Sequence, residues 1–507
     1  MRKIKNPIQK GFYPDPSICR VGDNYYMVHS TFAYAPGIPV FKSSDLKKWV
    51  LIGHALERNE QLCLTGARIS EGIYAPSIKY HNGIFYITAT NVSGGGNFYV
   101  MAPDPKGPWS DPVFLENAPG IDPSLFFEDG ICYYIGQRTK KKAEYEGDCE
   151  IWIQKLDLEK KELVDKPVSL YDGSMKQTIW AEGPHMYYID QMYYLLVAEG
   201  GTEFNHSVSV ARSRTLFGPY EACPHNPVLT HRHLGHNFPV QNIGHGDLFD
   251  TTTGDWFMVM LGTRPLNGCA ELGRETFLAN VIWEEGWPVV SPGAGRVLEY
   301  LEVSGFDNEE EEEAYNGVIS WSNPFDSRFL GLRDNPSKLP VKVEEGRLYL
   351  PFLPYTIEEL SVPVYIGTRI LSRTFDVRVM METEPEGKEE SGLLYLYDET
   401  HYVKSVIHKE GDEFKVVTVI KNGEALKEWK SRTVSDKFHE LHWQGHDQKM
   451  TVKVNGVTMV ESLDIKDLCS EKAGGFTGCT MGVYASSVHE TSDHCAVFGP
   501  LTIRFGD

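Results

Sequence analysis

Five aromatic-rich segments recur through the first 300 residues on one plan: GDNYYMVHST (22–31), HNGIFYITAT (81–90), DGICYYIGQR (129–138), IDQMYYLLVA (189–198) and TGDWFMVMLG (253–262). Each opens on a polar or glycine turn and continues as an alternating run, the pattern of a β-hairpin. They return at intervals of roughly 50 to 60 residues, the length of a four-stranded propeller blade with its loops. One such unit cannot bury its own apolar face, so five copies over residues 1–305 predict a five-bladed β-propeller.

The segments just upstream repeat as well: PDPSICRV (14–21), APSIKYHN (75–82), DPSLFFED (122–129), EGPHMYYI (182–189) and HGDLFDTT (245–252). Set against the aromatic pairs, one position ten or eleven residues earlier holds Asp15, Ala75, Asp122, Glu182 and His245. Equivalent positions on the innermost strands of a propeller surround its central channel, so these residues are expected to face one another. Three of the five are carboxylates. Asp15 stands in GFYPDPSI (11–18) between two prolines, which fix their own φ and bias the preceding residue towards extended backbone. An ordinary turn is the competing reading of Asp-Pro; recurrence of the position around the ring argues against it.

A ring of carboxylates suits glycoside hydrolysis. One acid protonates the leaving oxygen and a second carboxylate works from the opposite face, roughly 6.5 to 9.5 Å away in inverting enzymes, leaving room for a water. Like charges crowded in one pocket raise the proton affinity of at least one member.

Composition removes other classes. A formal net charge of −21 over 507 residues argues against binding nucleic acid or an anionic membrane surface. The start MRKIKNPIQKGF has no apolar stretch behind its basic residues, and no run of about 18 apolar residues occurs. Nine cysteines without a C-x-x-C pair fit reduced thiols better than a disulfide framework. The expected location is the cytoplasm.

YPDPS (13–17), GIDPSL (120–125) and WAEGPH (180–185), in that order on five blades, resemble glycoside hydrolase family 43. PGIPVFKSSDLKKW (36–49), GIYAPSIKYHNGIFY (72–86), GHGDL (244–248) and LGRETFL (272–278) extend the resemblance over the whole propeller. It implies an inverting mechanism with Asp15 as general base, Glu182 as general acid and Asp122 orienting the acid and modulating its pKa. Arg274 matches an arginine that holds substrate hydroxyls, against a blade-edge salt bridge as the structural alternative. Phe32 matches an aromatic of the sugar subsite, against a place in the core. Tyr74 stands where the family's β-xylosidases commonly carry tryptophan, which keeps a stacking surface but leaves the sugar preference open. His245 matches a histidine that orients water or, in some members, ligates a divalent cation. No cofactor is expected to be required, and any calcium near His245 would be weakly held, because calcium takes six to eight oxygens. HRHLGH (231–236) lacks a second ligand cluster and reads as a loop rather than a zinc site. SGGGN (93–97) lacks the Lys-Ser/Thr and helix of a phosphate loop.

After residue 305 the run DNEEEEEAYNG (307–317) marks an acidic linker, residues 306–324. From 325 to 507 short alternating strands and the pairs Asn422-Gly423 and Asn455-Gly456, read as type I′ hairpin turns, predict a β-sandwich. It resembles the concanavalin-like domain that follows the propeller in family β-xylosidases, where a loop from it helps close the pocket. The fold expected is therefore all-β, a five-bladed propeller followed by that sandwich. The activity expected is removal of terminal β-1,4-linked xylose from short xylo-oligosaccharides. The alternatives are an α-L-arabinofuranosidase, an enzyme with both activities, or a non-catalytic carbohydrate-binding propeller. The expected partner is a small oligosaccharide; a homo-oligomer is compatible with the sequence, which does not fix the state.

Overall fold

A computed structural model describes residues 2–58, 60–304, 317–319, 321–322, 325–434 and 437–506. The linker expected at 306–324 falls largely outside the described residues.

Each repeat forms an antiparallel sheet. The first blade is Ser17–Val21, Asn24–Val28, Gly37–Ser43 and Val50–Leu56; the next four begin on Ile73–His81, Ile121–Glu128, Glu182–Ile189 and Gln241–Asp250. Asn82-Gly83, Asp129-Gly130 and Asp190-Gln191 join first to second strands with positive φ at both residues, the type I′ geometry that matches strand twist.

The five first strands contact one another in order, and the fifth returns to the first. Side chains bond this ring together. Ser17 Oγ donates to Asp247 Oδ2 (2.7 Å) and accepts from Ile78 N (3.1 Å). Thr88 Oγ1 donates to Pro123 O, Ser124 Oγ to Pro184 O, and Tyr187 Oη to Asp247 Oδ1. Asp247 is wholly buried, with Lys79 and His185 each 3.7 Å from it. The channel is thus plugged by a bonded layer, and the space above it is left for a site.

Two further sheets make the sandwich. One runs through Phe375–Glu382, Phe438–His446 and Cys495–Phe505, the other through Val364–Arg369, Glu390–Asp398, His401–Glu410 and Thr480–Ser486. Their facing sides bury a core that includes Val377, Leu393, Trp443, Val483 and Ile503. Asn455-Gly456 is type I′ as expected, with positive φ at both residues. Asn422-Gly423 is not: Asn422 pairs with Ala425, so Gly423 takes the first central position and only it has positive φ, as in type II′.

The two domains share one apolar core. Phe32, Tyr34 and Ile69 of the propeller pack in the same cluster as Leu332, Tyr365, Leu396 and Tyr484 of the sandwich. Gly331–Leu332 pairs with the propeller strand Tyr34–Ala35. The neighbouring Arg333 side chain is wholly buried and bonds to Ala67 O, Ser361 O and the Glu399 carboxylate. This contact fixes which sandwich loop lies over the channel.

Candidate active site

At the channel mouth the first strands break register. Bulges fall between Tyr74 and Ser77, Ile121 and Ser124, Glu182 and His185, and Gln241 and Asp247. In each blade the residue three before a common buried apolar position has positive φ: Asp15 (53°), Ala75 (35°), Asp122 (56°), Gly183 (57°) and His245 (48°). For non-glycine residues such a conformation costs about 1–3 kcal/mol and persists where the surroundings impose it; bulges re-aim side chains in the same way. Two expectations change. Asp15 is not extended before Pro16: the bulge turns it into the left-handed region, which aspartate tolerates better than most residues. Glu182 is not the ring equivalent of Asp15, because Gly183-Pro184 matches Asp15-Pro16 and Glu182 stands one residue earlier, in register with Tyr74 and Ile121.

All seven residues singled out from the sequence meet at one cavity of about 100 Å³: Asp15, Phe32, Tyr74, Asp122, Glu182, His245 and Arg274. Ala75, Ile121, Thr202, His206 and Phe476 complete its lining. Ser30 Oγ donates to Asp15 Oδ2 (2.5 Å) and accepts from Ala75 N (2.7 Å), fixing the carboxylate from just beyond the second strand. Arg274 Nη1 donates to Asp15 Oδ1 (2.7 Å) and to Thr202 Oγ1 (3.1 Å), so Arg274 is no blade-edge bridge. Asp122 Oδ2 accepts from Gly183 N (3.0 Å), the amide next to Glu182. Glycine suits this position, with φ at 57° and the His245 ring 3.0 Å from where a Cβ would lie.

Phe32 is buried in the interdomain core and also lines the cavity, its ring centroid 4.9 Å from that of Tyr74. Phe476 belongs to the sandwich. Its carbonyl accepts from Arg274 Nη2 (3.3 Å), its amide donates to Ser70 Oγ (3.0 Å), and its ring meets Tyr74 edge-on at 6.2 Å. The second domain therefore forms part of the cavity wall.

The three carboxyls are driven apart in proton affinity. Burial raises Asp15, but the Arg274 guanidinium, His245 and the Ser30 hydrogen bond outweigh it and hold this carboxyl below its ordinary value. Burial, with the Asp15 charge, lifts Asp122 to about 6. Burial, then the Asp122 and Asp15 charges, pushes Glu182 well above the usual glutamate range. One carboxyl stays ionised beside one that stays protonated, the division a general base and a general acid require.

Among the described residues no three His, Cys, Asp or Glu side chains are grouped to hold a metal. His245 supplies one imidazole, short of the oxygen donors calcium takes, so the residues in place do not form a calcium cage. HRHLGH contains a short 3₁₀ turn, and His231 is used internally, to Val240 O and Val297 N. No helix among the described residues is long and apolar enough to cross a membrane.

Ser30, Thr202, His206, Ile121 and Phe476 escape the sequence reading. Ile121 and Glu182 could have been aligned with Tyr74 through the prolines rather than the aromatic pairs. Ser30 lies near the end of the first aromatic repeat without a chemical signature of its own, Thr202 and His206 come from a fourth-blade loop without periodicity, and Phe476 is brought in by the sandwich.

Comparison with known proteins agrees with this two-domain fold. Residues 4–288 match the family described as glycosyl hydrolases family 43, and residues 309–504 match the β-xylosidase C-terminal concanavalin A-like domain. A xylosidase/arabinosidase of Butyrivibrio fibrisolvens is 44% identical over 98% of this chain and 99% of its own length. A non-reducing-end α-L-arabinofuranosidase of Bacteroides ovatus is 34% identical over 99% and 95%. The crystal structure of a xylan β-1,4-xylosidase of Bacillus halodurans superposes with a TM-score of 0.90 at 30% identity, covering 99% of this chain and all of that one.

Proposed function

From the premise that this chain belongs to glycosyl hydrolase family 43, we propose that it is an inverting exo-glycosidase that removes terminal β-1,4-linked xylose from short xylo-oligosaccharides. The observation that carries this reading is the small cavity in which Arg274 pairs with Asp15 and holds its carboxyl low, while burial and then the Asp122 and Asp15 charges push Glu182 well above the usual glutamate range. Glu182 gives its proton to the glycosidic oxygen as the bond to the anomeric carbon breaks. Asp15 takes a proton from a water that attacks that carbon from the opposite face. Asp122 orients the acid through the Gly183 amide and raises its proton affinity by its own charge. Arg274 holds sugar hydroxyls, Phe32 and Tyr74 provide the apolar face, and His245 helps orient the water.

A wall made partly by Phe476 and a volume suited to one sugar ring favour terminal cleavage over cutting within a chain. Turnover is expected to survive treatment with a chelator. Nine free thiols support a cytoplasmic location.

A second reading has its own support. Relatives named as a xylosidase/arabinosidase and an α-L-arabinofuranosidase align over nearly the whole chain, so arabinofuranoside cleavage, alone or beside xyloside cleavage, fits the same pocket. Rates on nitrophenyl β-xyloside and nitrophenyl α-L-arabinofuranoside separate the two, and products from xylobiose, xylotetraose and arabinoxylan fix exo action. Negligible turnover of both nitrophenyl substrates would sink the substrate class.

A further inference from the structure

The acid–base scheme leaves one buried titratable side chain of the cavity unused. His206 lines the cavity and is 1% exposed. Its Nδ1 lies 3.0 Å from Asn242 O. A carbonyl only accepts, so Nδ1 carries the hydrogen and Nε2 of the neutral ring is an acceptor. That Nε2 is itself buried and has no hydrogen-bond partner among the described residues. Burial, with Arg274 and His245 nearby, lowers the imidazole to about 3, so the ring is neutral at any working pH.

The fold makes room for this ring. The wall position held by Tyr74, Ile121 and Glu182 in three blades is Gly244 in the fifth. A Cβ on Gly244 would lie 2.3 Å from His206 Cε1 and Nε2, so the imidazole from the fourth blade occupies the space that a side chain of the fifth would fill. The other polar side chains there are three carboxyls, the Arg274 guanidinium, the Thr202 and Tyr74 hydroxyls and the His245 imidazole; with its Nδ1 hydrogen held by Asn242 O, His206 adds an uncharged acceptor at Nε2. Such a group recognises a hydroxyl donor.

We propose that His206 Nε2 accepts a hydrogen bond from one hydroxyl of the terminal sugar, making His206 a specificity-determining residue. This rests on the glycosidase reading above and adds a contact to it.

The test compares kcat/KM for nitrophenyl β-xyloside and its 2-, 3- and 4-deoxy counterparts in wild type, His206→Phe and His206→Gln. A site built to pair a hydroxyl rejects the analogue lacking it, so wild type is expected to lose about tenfold or more at the contacted position. In His206→Phe the penalty at that position alone is expected to vanish, while the other two persist. His206→Gln, which can present an acceptor, is expected to restore it. Gly244→Ala, which displaces the ring, is expected to repeat the His206→Phe pattern with folding checked by thermal melting. Three unchanged penalties in a folded His206→Phe, including the case where only kcat falls because the ring holds water instead, would overturn the proposal alone. A wild type inactive on both xylosides and arabinofuranosides would remove the substrate reading and this contact with it.

Discussion

Arg274 Nη1 meets Asp15 Oδ1 at 2.7 Å and so ties the fifth blade to the first at the point where the propeller ring closes. The same pair keeps the proposed base ionised, so closure of the fold and activation of water depend on one contact. In Arg274→Ala the Asp15 carboxyl is expected to rise, because its largest stabilising charge is gone. The base works only when ionised, so the acid limb of the kcat/KM profile should move to higher pH. Activity at the optimum should fall about 10²–10³-fold, as for loss of one preorganised donor. A profile with an unmoved acid limb would assign that limb to another group.

Glu182 is expected to govern the alkaline limb, since activity is lost as pH rises through its raised pKa. Glu182→Gln should abolish that limb and cut turnover of xylobiose by about 10²–10⁴-fold. A dinitrophenyl xyloside, whose leaving group needs no proton, should lose far less. Asp122→Asn removes the charge that, after burial, raises Glu182 most, so the limb should shift to lower pH. Equal losses on both substrates would remove Glu182 as the acid.

The same pKa shift has a stability sign. A carboxyl raised on folding holds a proton that the unfolded chain releases, so it destabilises the protein above the unfolded pKa near 4.3, increasingly up to its folded value. Glu182→Gln should therefore raise Tm at pH 7 to 8 by about 1–3 °C and lose that advantage as pH falls to 4. Scanning calorimetry at the two pH values checks it; a lower Tm at both would mean that the carboxyl is not strained.

The buried Arg333 bonds across the domain contact to Ala67 O and pairs with Glu399 within the sandwich. Arg333→Ala leaves that carboxylate unpaired and should cost about 3–5 kcal/mol. The exposed pair Arg58–Asp111 is the control, where Arg58→Ala should cost about 0–1 kcal/mol. Denaturant midpoints measure both, and similar losses would show that Arg333 is not buried with its partner as the fold implies.

The propeller was legible because each hairpin is local: turn residues and an aromatic run fall within ten residues, and five copies reinforce one another. Asp15, Asp122, Arg274 and His245 were legible through motifs on those repeats. The register of Glu182 was not, because loop lengths differ between blades and alignment on the aromatic pairs absorbs a one-residue slip, whereas Pro184 against Pro16 and Pro123 reveals it. Asn422-Gly423 misled because turn type depends on which residues close the ladder, a property of pairing rather than of the dipeptide. Phe476 and His206 carry no pattern: one enters from a sandwich loop, and the other fills a gap left by a glycine on a different blade.

The central claim is that Asp15 activates water on the face of the sugar opposite Glu182. Proton NMR of the first turnovers of a β-xyloside tests it directly. The account predicts that α-xylose appears first and mutarotates to the equilibrium mixture; first appearance of β-xylose would contradict it.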